Sequence, residues 1–336
     1  MRKVVLFESG NRFDLFFDEL RRYNVDVTTL SFEDSDWINF DFSDITLTLY
    51  YPTFQSSSND PMALRWVKDN IAHLSRSYPN MQVFPDPRVI PYYCDKYRQY
   101  LFMRQNGLPI PKTIPIESED DAIRAVNELG FPLVIKNRFG AGGANVKFID
   151  SMPELSTILA YSKRMFGTFT GMVKGLSQVA NRRYLRAMDP GRPSDYPFWS
   201  APIIAQEYIW HDHDLKVVVG DGEPVEAHWR RGASASDKKM NIDAGGIGEW
   251  SFVPDDATNL CVNLAHKLGA KWLNIDLLPY NDGFLVSEFS PVWHHYKYQE
   301  KASFRYKDDY NLKRPIERYC DLERMICESY LGERNK

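Results

Sequence analysis

Two acidic residues in the C-terminal third are placed to share a charge. Asp276 lies in Asn274-Ile-Asp276-Leu-Leu and Glu288 in Leu285-Val-Ser-Glu288-Phe-Ser290, with the turn Asn281-Asp-Gly283 between the two apolar runs. That turn folds the runs into antiparallel strands, so the carboxylates become neighbours among apolar side chains. A buried, unpaired carboxylate is costly, and two close together are costlier. A hard divalent cation relieves both, and Mg2+ is typically held by one or two carboxylates plus substrate phosphates. Exposure to solvent, or pairing with a lysine such as Lys271, would relieve them as well.

A second candidate is the cluster Gly140-Ala-Gly142-Gly143, which follows Val134-Ile-Lys136 and leads into Val146–Ile149. Glycine doublets between strands are commonly plain turns. Here the segment that follows is a strand, so a Walker loop and a dinucleotide fingerprint do not fit, since both need a helix N-terminus. A glycine hairpin whose N–H groups fold over phosphates does fit, and Lys136 enters it carrying a point charge. The third candidate is Ala205-Gln-Glu207-Tyr-Ile209, followed by His211-Asp-His-Asp214-Leu-Lys216. His211 and His213, an i, i+2 pair among acids, read as a solvated turn in preference to zinc ligands.

Taken with Asp95-Lys96, these segments resemble the ATP-grasp superfamily, in whose order they occur. They look most like its branch of ribosomal-protein-S6 glutamate ligases and glutathione synthetases. The resemblance implies an α/β fold with α+β subdomains, an ATP-grasp fold preceded by a Rossmann-like pre-ATP-grasp domain. It implies ATP and Mg2+ as cofactors, one ion or two, with Mn2+ able to substitute. Lys96 and Lys136 would contact the phosphates, and Gly140, Gly142, Gly143 and Ala144 would close over them. Gln206, Glu207 and Ile209 would form the adenine hinge, and Asp214 would hold the ribose. Asp276 and Glu288 would bind the metal. Ser290 stands where the family commonly has a ligating asparagine, so the count of ions stays open. Arg230, in His228-Trp-Arg230-Arg231, matches the arginine that steadies the phosphorylated intermediate, and Asn241 matches a polar position lining the same cavity. With Lys136 these make the implied catalytic set.

The activity so implied is ATP-dependent ligation of a small-molecule or peptide carboxylate to an amine, or to a thiol or hydroxyl. It runs through an acyl phosphate and releases ADP and phosphate. A phosphotransferase on the same fold and a non-catalytic nucleotide sensor are the alternatives. Arg182, Arg183, Arg186 and Arg192 could clamp an acidic substrate or belong to a solvated basic loop. His294 or His295 could accept the amine proton or serve packing.

The elements that must position these residues follow from periodicity. Residues 1–93 alternate strands (Val4–Phe7, Val25–Leu30, Ile45–Tyr50, Gln82–Phe84) with helices (one through Arg22, then Pro61–Ser77), which favours a mainly parallel sheet. Residues 94–203 carry a helix ending at Asn106-Gly107, a strand near Lys112–Ile116, and a helix opened by Ser118 and Asp121 in capping-box spacing. The strands around the glycine loop follow, then a capped helix from Ser151 and an irregular insertion near 166–200. Residues 204–336 carry two hairpins, Leu215–Val219 with Pro224–Trp229 and Lys271–Leu278 with Phe284–Glu288. Helices are expected over Asp255–Leu268 and Lys313–Leu331.

At 336 residues, 43% hydrophobic and net charge −4, the chain can bury a sizeable core. It lacks the basic excess of a nucleic-acid or membrane-surface protein. No run approaches the length of a membrane span, and the N-terminal apolar run is too short for a signal peptide. Its 4 cysteines, Cys94, Cys261, Cys320 and Cys327, form no CxxC pair, as expected of a reducing cytoplasm. A homodimer is compatible with this reading.

Overall fold

The computed structural model describes residues 1–8, 13–52, 61–139, 146–162, 203–234, 240, 245–249, 251–292, 301–303, 317–319 and 321–332. The N-terminal sheet holds β1 (Arg2–Phe7), β2 (Val25–Leu30), β3 (Ile45–Leu49) and β4 (Gln82–Phe84), all parallel, in the order β2-β1-β3-β4. Val4 to Phe7 are buried on both faces, as the unbroken apolar run requires of a covered parallel strand. Helices α1 (Phe13–Leu20) and α2 (Pro61–Ser77) flank this sheet in sequence.

The second sheet is antiparallel, β5 (Thr113–Ile116), β8 (Ile203–Glu207), β6 (Leu133–Lys136) and β7 (Val146–Ile149) in the order β5-β8-β6-β7. β8 therefore pairs with the strands before it, and the break between sheets falls after Glu207, not at 203/204. Helices α4 (Glu119–Leu129) and α5 (Met152–Ser162) pack on it. Ser118 and Asp121 form the expected capping box on α4. Ahead of α5, Glu154 accepts from the N–H of Asp150 at 3.1 Å instead of closing on Ser151. Helix α3 (Lys96–Gln105) precedes this sheet, with Asp95 as its N-cap.

The third sheet contains β9 (His213–Gly220), β10 (Glu223–Arg231), β11 (Ile247–Glu249), β12 (Trp272–Tyr280) and β13 (Gly283–Ser290), antiparallel in the order β11-β10-β9-β12-β13. Both hairpins form where the turn residues place them. Asp221 and Gly222 take φ of 51° and 82°, the left-handed pair a two-residue β-turn of this hand demands. Gly220 is required by packing: a Cβ there would lie 2.5 Å from the Trp272 ring on the neighbouring strand. Odd-numbered Leu215, Val217, Val219, Leu273, Ile275 and Leu277 pack with Cys261, Leu264 and Ala265 of α6 (Asp255–Leu268). The same core runs on through Val4, Leu6 and Leu49 of the first sheet and Ile326 and Cys327 of α7 (Leu322–Leu331).

One expected element differs. The final helix begins at Leu322, not Lys313, because Asp321 caps it by accepting from the N–H of Arg324 at 3.0 Å. Upstream, Glu317–Tyr319 (β15) pairs instead with Lys301–Ser303 (β14). No helix among the described residues is long and apolar enough to cross a membrane.

Candidate active site

Strand register assembles the site. Lys216 on β9 is paired with His228 on β10 and with Asp276 on β12, and Asp276 is paired directly with Glu288 on β13. Directly opposed residues share a face, so His228, Lys216, Asp276 and Glu288 form one rung across four strands. Two residues along, on the same face, Asp214 is paired with Arg230. The opposite face is the one packed on α6, which is why each strand alternates apolar with charged residues.

The charges on this face are joined. Arg230 donates from Nε to Asp214 Oδ1 at 2.7 Å and from Nη2 to Asp214 Oδ2 at 2.8 Å, and Nη2 also reaches Asp276 Oδ2 at 3.0 Å. Lys216 Nζ donates to Asp276 Oδ1 at 2.7 Å. Burial alone would raise the Asp276 pKa, but Arg230 and Lys216 hold its carboxyl well below the usual carboxylate range. Burial would likewise lower that of Arg230, and Asp214 and Asp276 hold its guanidinium above the ordinary value. Asp214, assigned by resemblance to a ribose, thus has both oxygens on Arg230.

The two lysines reach the same cleft from another direction. The carboxylate of Asp95 accepts from the N–H of Arg98 at 3.1 Å and from the Arg138 guanidinium, Nη2 at 2.9 Å. The N–H of Lys96 donates to the carbonyl of Arg138 at 2.8 Å. This joins the start of α3 to the chain leaving β6, so Lys96 and Lys136 line one cleft with Asp214, Arg230, Asp276 and Glu288. Burial pushes the Lys136 ammonium down to about 8; Glu288 opposes the shift and the like charge of Lys96 adds to it. Gln99, one turn along α3, donates to the Phe289 carbonyl at 2.9 Å and accepts from its N–H at 3.2 Å. That staple fixes α3 against the residue after Glu288. Gln99 was not singled out in the sequence, where a glutamine in a helix carries no distinguishing signal.

Gln206, Glu207 and Ile209 line the cleft's outer end. Gln206 Nε2 donates to Thr113 Oγ1 at 2.9 Å, and Glu207 accepts from the N–H of Lys112 at 2.7 Å, so both side chains tie β8 to β5. A ring nitrogen of His211 lies 2.7 Å from the Ile209 carbonyl, and His213 contacts Asp212 and Glu249. Residues 140–144, Asn241, His294, His295 and the four arginines of 166–200 lie outside the described residues. Met240, beside Asn241, lines the cleft.

The donor chemistry fits one Mg2+ on Asp276 and Glu288, since opposed residues of an antiparallel pair have Cβ atoms roughly 4.5–5.5 Å apart. Asp276 is already compensated by Lys216 and Arg230, so a metal there must share or displace cations. Ser290 does not turn to the rung: its hydroxyl donates to the Val292 carbonyl at 2.6 Å and accepts from the Val292 N–H at 3.2 Å. Among the described residues no three histidine, cysteine or carboxylate side chains converge, so further ligands would come from substrate phosphates and water.

Residues 197–299 match the RimK-like ATP-grasp domain, and residues 95–175 match the ATP-binding domain of the carbamoyl-phosphate synthase L chain. The likeness to the ATP-grasp superfamily is carried by these two stretches of the chain. The chain is 24% identical over 200 residues to the glutamate–LysW ligase of Sulfolobus acidocaldarius, covering 59% of this chain and 60% of that protein. It is 25% identical over 204 residues to the tetrahydromethanopterin:alpha-L-glutamate ligase of Methanocaldococcus jannaschii, covering 59% of each. The chain thus spans about three-fifths of these ligases. Among solved structures, the D-alanine–D-alanine ligase of Bacillus anthracis superposes with TM-score 0.61 over 98% of both chains at 14% identity, a likeness of fold.

Proposed function

We propose that this ATP-grasp chain is a ligase that uses ATP to activate a carboxylate as an acyl phosphate and joins it to an amine, releasing ADP and phosphate. The observation that carries the reading is the directly opposed pair Asp276–Glu288, facing a cleft where Lys96 and Lys136 bring positive charge to bear on it. That is an arrangement for binding and neutralising a transferring phosphoryl group. Adenine would lie at Gln206–Ile209, and the phosphates would run inward to the two lysines.

In the first step a carboxylate oxygen attacks the γ-phosphorus, the bond to the bridging oxygen breaks, and ADP leaves with the electron pair. Lys96 and Lys136 hold the non-bridging oxygens. Mg2+, when bound at Asp276 and Glu288, would add charge neutralisation to the same oxygens. In the second step the amine nitrogen attacks the acyl carbon, the carbon–oxygen bond to phosphate breaks, and the nitrogen loses a proton. Arg230 stabilises the oxyanion formed in between, kept rigid by Asp214 so that little reorganisation is needed.

L-Glutamate is the first amine to test, because the two relatives named above are glutamate ligases. The test is ADP release by the purified protein with Mg-ATP across pools of carboxylates and amines. Release that depends on both substrates is expected, and Glu288→Gln should abolish it. AMP and pyrophosphate as products would refute the mechanism. Phosphorylated substrate without an amine requirement would establish a phosphotransferase instead.

A further inference from the structure

A nucleotide with its base at Gln206–Ile209 and its γ-phosphate at the metal rung lays its ribose along the cleft wall between them. Strand register traces that wall. Leu215 on β9 is paired with Leu277 on β12, one step from the pair Lys216–Asp276, so Asp214 and Leu278 fall one step further on the same side. Past Leu278, the strand-end residues Pro279 and Tyr280 border a pocket together with Glu207 to Trp210. The way from rung to hinge therefore passes Asp214 and Leu278, and both line the cleft. Motif order gives the ribose to Asp214, but that side chain is 7% exposed and gives both of its oxygens to Arg230.

Two other polar side chains line the same stretch, His211 and Ser287. His211 leaves the hinge two residues after Ile209, three residues before Asp214, and is half-buried. Its Nδ1 lies 2.7 Å from the Ile209 carbonyl oxygen. A carbonyl can only accept, so Nδ1 carries the proton and donates it. In the neutral ring Nε2 is then an acceptor, and the tether at Nδ1 fixes where it points. Ser287 reaches the cleft through a break in the β12–β13 ladder. Asp276 is paired with Glu288 and Leu277 with Val286, so Ser287 is an extra residue with no partner across the ladder. In a regular strand Ser287 and Glu288 would face opposite ways. The bulge re-aims the chain, and both border the cleft. Ser287 lies on the Leu278 side of Glu288, towards the hinge.

We propose that His211 and Ser287 bind the ribose hydroxyls of the nucleotide, His211 accepting through Nε2 and Ser287 through its hydroxyl. A ribose presents two neighbouring hydroxyls, each able to donate and to accept, which matches an acceptor and a hydroxyl on the wall. Asp214 then serves to hold Arg230. This rests on the nucleotide part of the ligase reading and adds to it a selection for ribose over deoxyribose.

The test is calorimetric titration of the full chain in Mg2+ with ADP, 2′-deoxy-ADP and 3′-deoxy-ADP, which bind without turnover. The wild type is expected to hold ADP at least threefold more tightly than each deoxy analogue, the worth of one hydrogen bond. His211→Phe keeps a flat ring and removes Nε2, and Ser287→Ala removes only the hydroxyl. Each should weaken ADP about threefold or more and bring its ratio to one of the two analogues close to one. The affinity for that analogue should stay as in the wild type, which general damage to the fold would not allow. A wild type that binds ADP without discriminating, or a variant that keeps both wild-type ratios, overturns the proposal and leaves the ligase reading standing. No binding of ADP by the wild type would count against the nucleotide reading and this proposal together.

Discussion

Lys216→Gln removes one of the two cations that hold Asp276 while keeping a hydrogen-bond donor. Lys216 Nζ lies 2.7 Å from Asp276 Oδ1, with the side chains 14% and 12% exposed. At that distance and an effective dielectric of about 20, the Coulomb attraction is about 6 kcal/mol. Desolvation and the continuing contact with Arg230 reduce the net to that of a charge-assisted bond, about 1.5–3 kcal/mol. A divalent cation entering at Asp276 competes with this attraction. Nucleotide-free Mn2+ should therefore bind the variant about 10- to 100-fold more tightly than the wild type. Titration followed by the electron paramagnetic resonance signal of free Mn2+ reads the difference directly. Unchanged or weakened Mn2+ affinity would refute the competition between Lys216 and metal for Asp276.

The Lys136 ammonium has a folded-state value of about 8, against an ordinary 10.5, with burial as the main cause. Above pH 8 the free protein has lost this proton and a bound triphosphate draws it back. Mg-ATP affinity should fall as pH rises through 8, and binding near pH 9 should take up close to one proton. Calorimetry in buffers of different ionisation heat measures that uptake, and heats that do not depend on the buffer would contradict it. Between pH 8 and 10.5 the unfolded chain holds the proton that the folded chain lacks, so the cost of burying this charge is relieved and stability rises with pH across that window. Gln99→Leu leaves the buried N–H and carbonyl of Phe289 without their side-chain partner and should cost about 1–3 kcal/mol in urea unfolding, a loss that a structurally idle residue would not produce. Arg230→Gln strands Asp214 and Asp276 together and should destabilise by about 3–5 kcal/mol. It should also lower kcat by about 100- to 1000-fold for whatever substrate pair shows turnover.

Much of the architecture is local and so was legible in the chain. Asp221-Gly222 and Asn281–Gly283 announce two hairpins, and the second hairpin brings Asp276 opposite Glu288 without further information. Capping residues Ser118 and Gly107 likewise mark helix ends where the structure has them. What escaped is non-local. The pairing of β9 with β12, which sets Lys216 on Asp276, joins segments with α6 between them in sequence, and no periodicity encodes it. Motif order matches Asp214 to a ribose, while its contact with Arg230 across the hairpin follows from the register of β9 with β10. Residues 317–319 fall in a stretch with helical spacing, but the pairing of β14 with β15 overrides it there, and Asp321 caps the helix that follows. The full burial of Glu226 follows from a face shared with Arg230, which periodicity hints at but burial alone reveals.

Formation of an acyl phosphate moves a carboxylate oxygen into the released phosphate, which isotope transfer detects. The protein would be incubated with Mg-ATP, L-glutamate and carboxylates labelled with 18O in the carboxyl group, and the released phosphate weighed by mass spectrometry. ADP is expected together with phosphate carrying one 18O from the carboxylate. Unlabelled phosphate, or AMP with pyrophosphate, would contradict it.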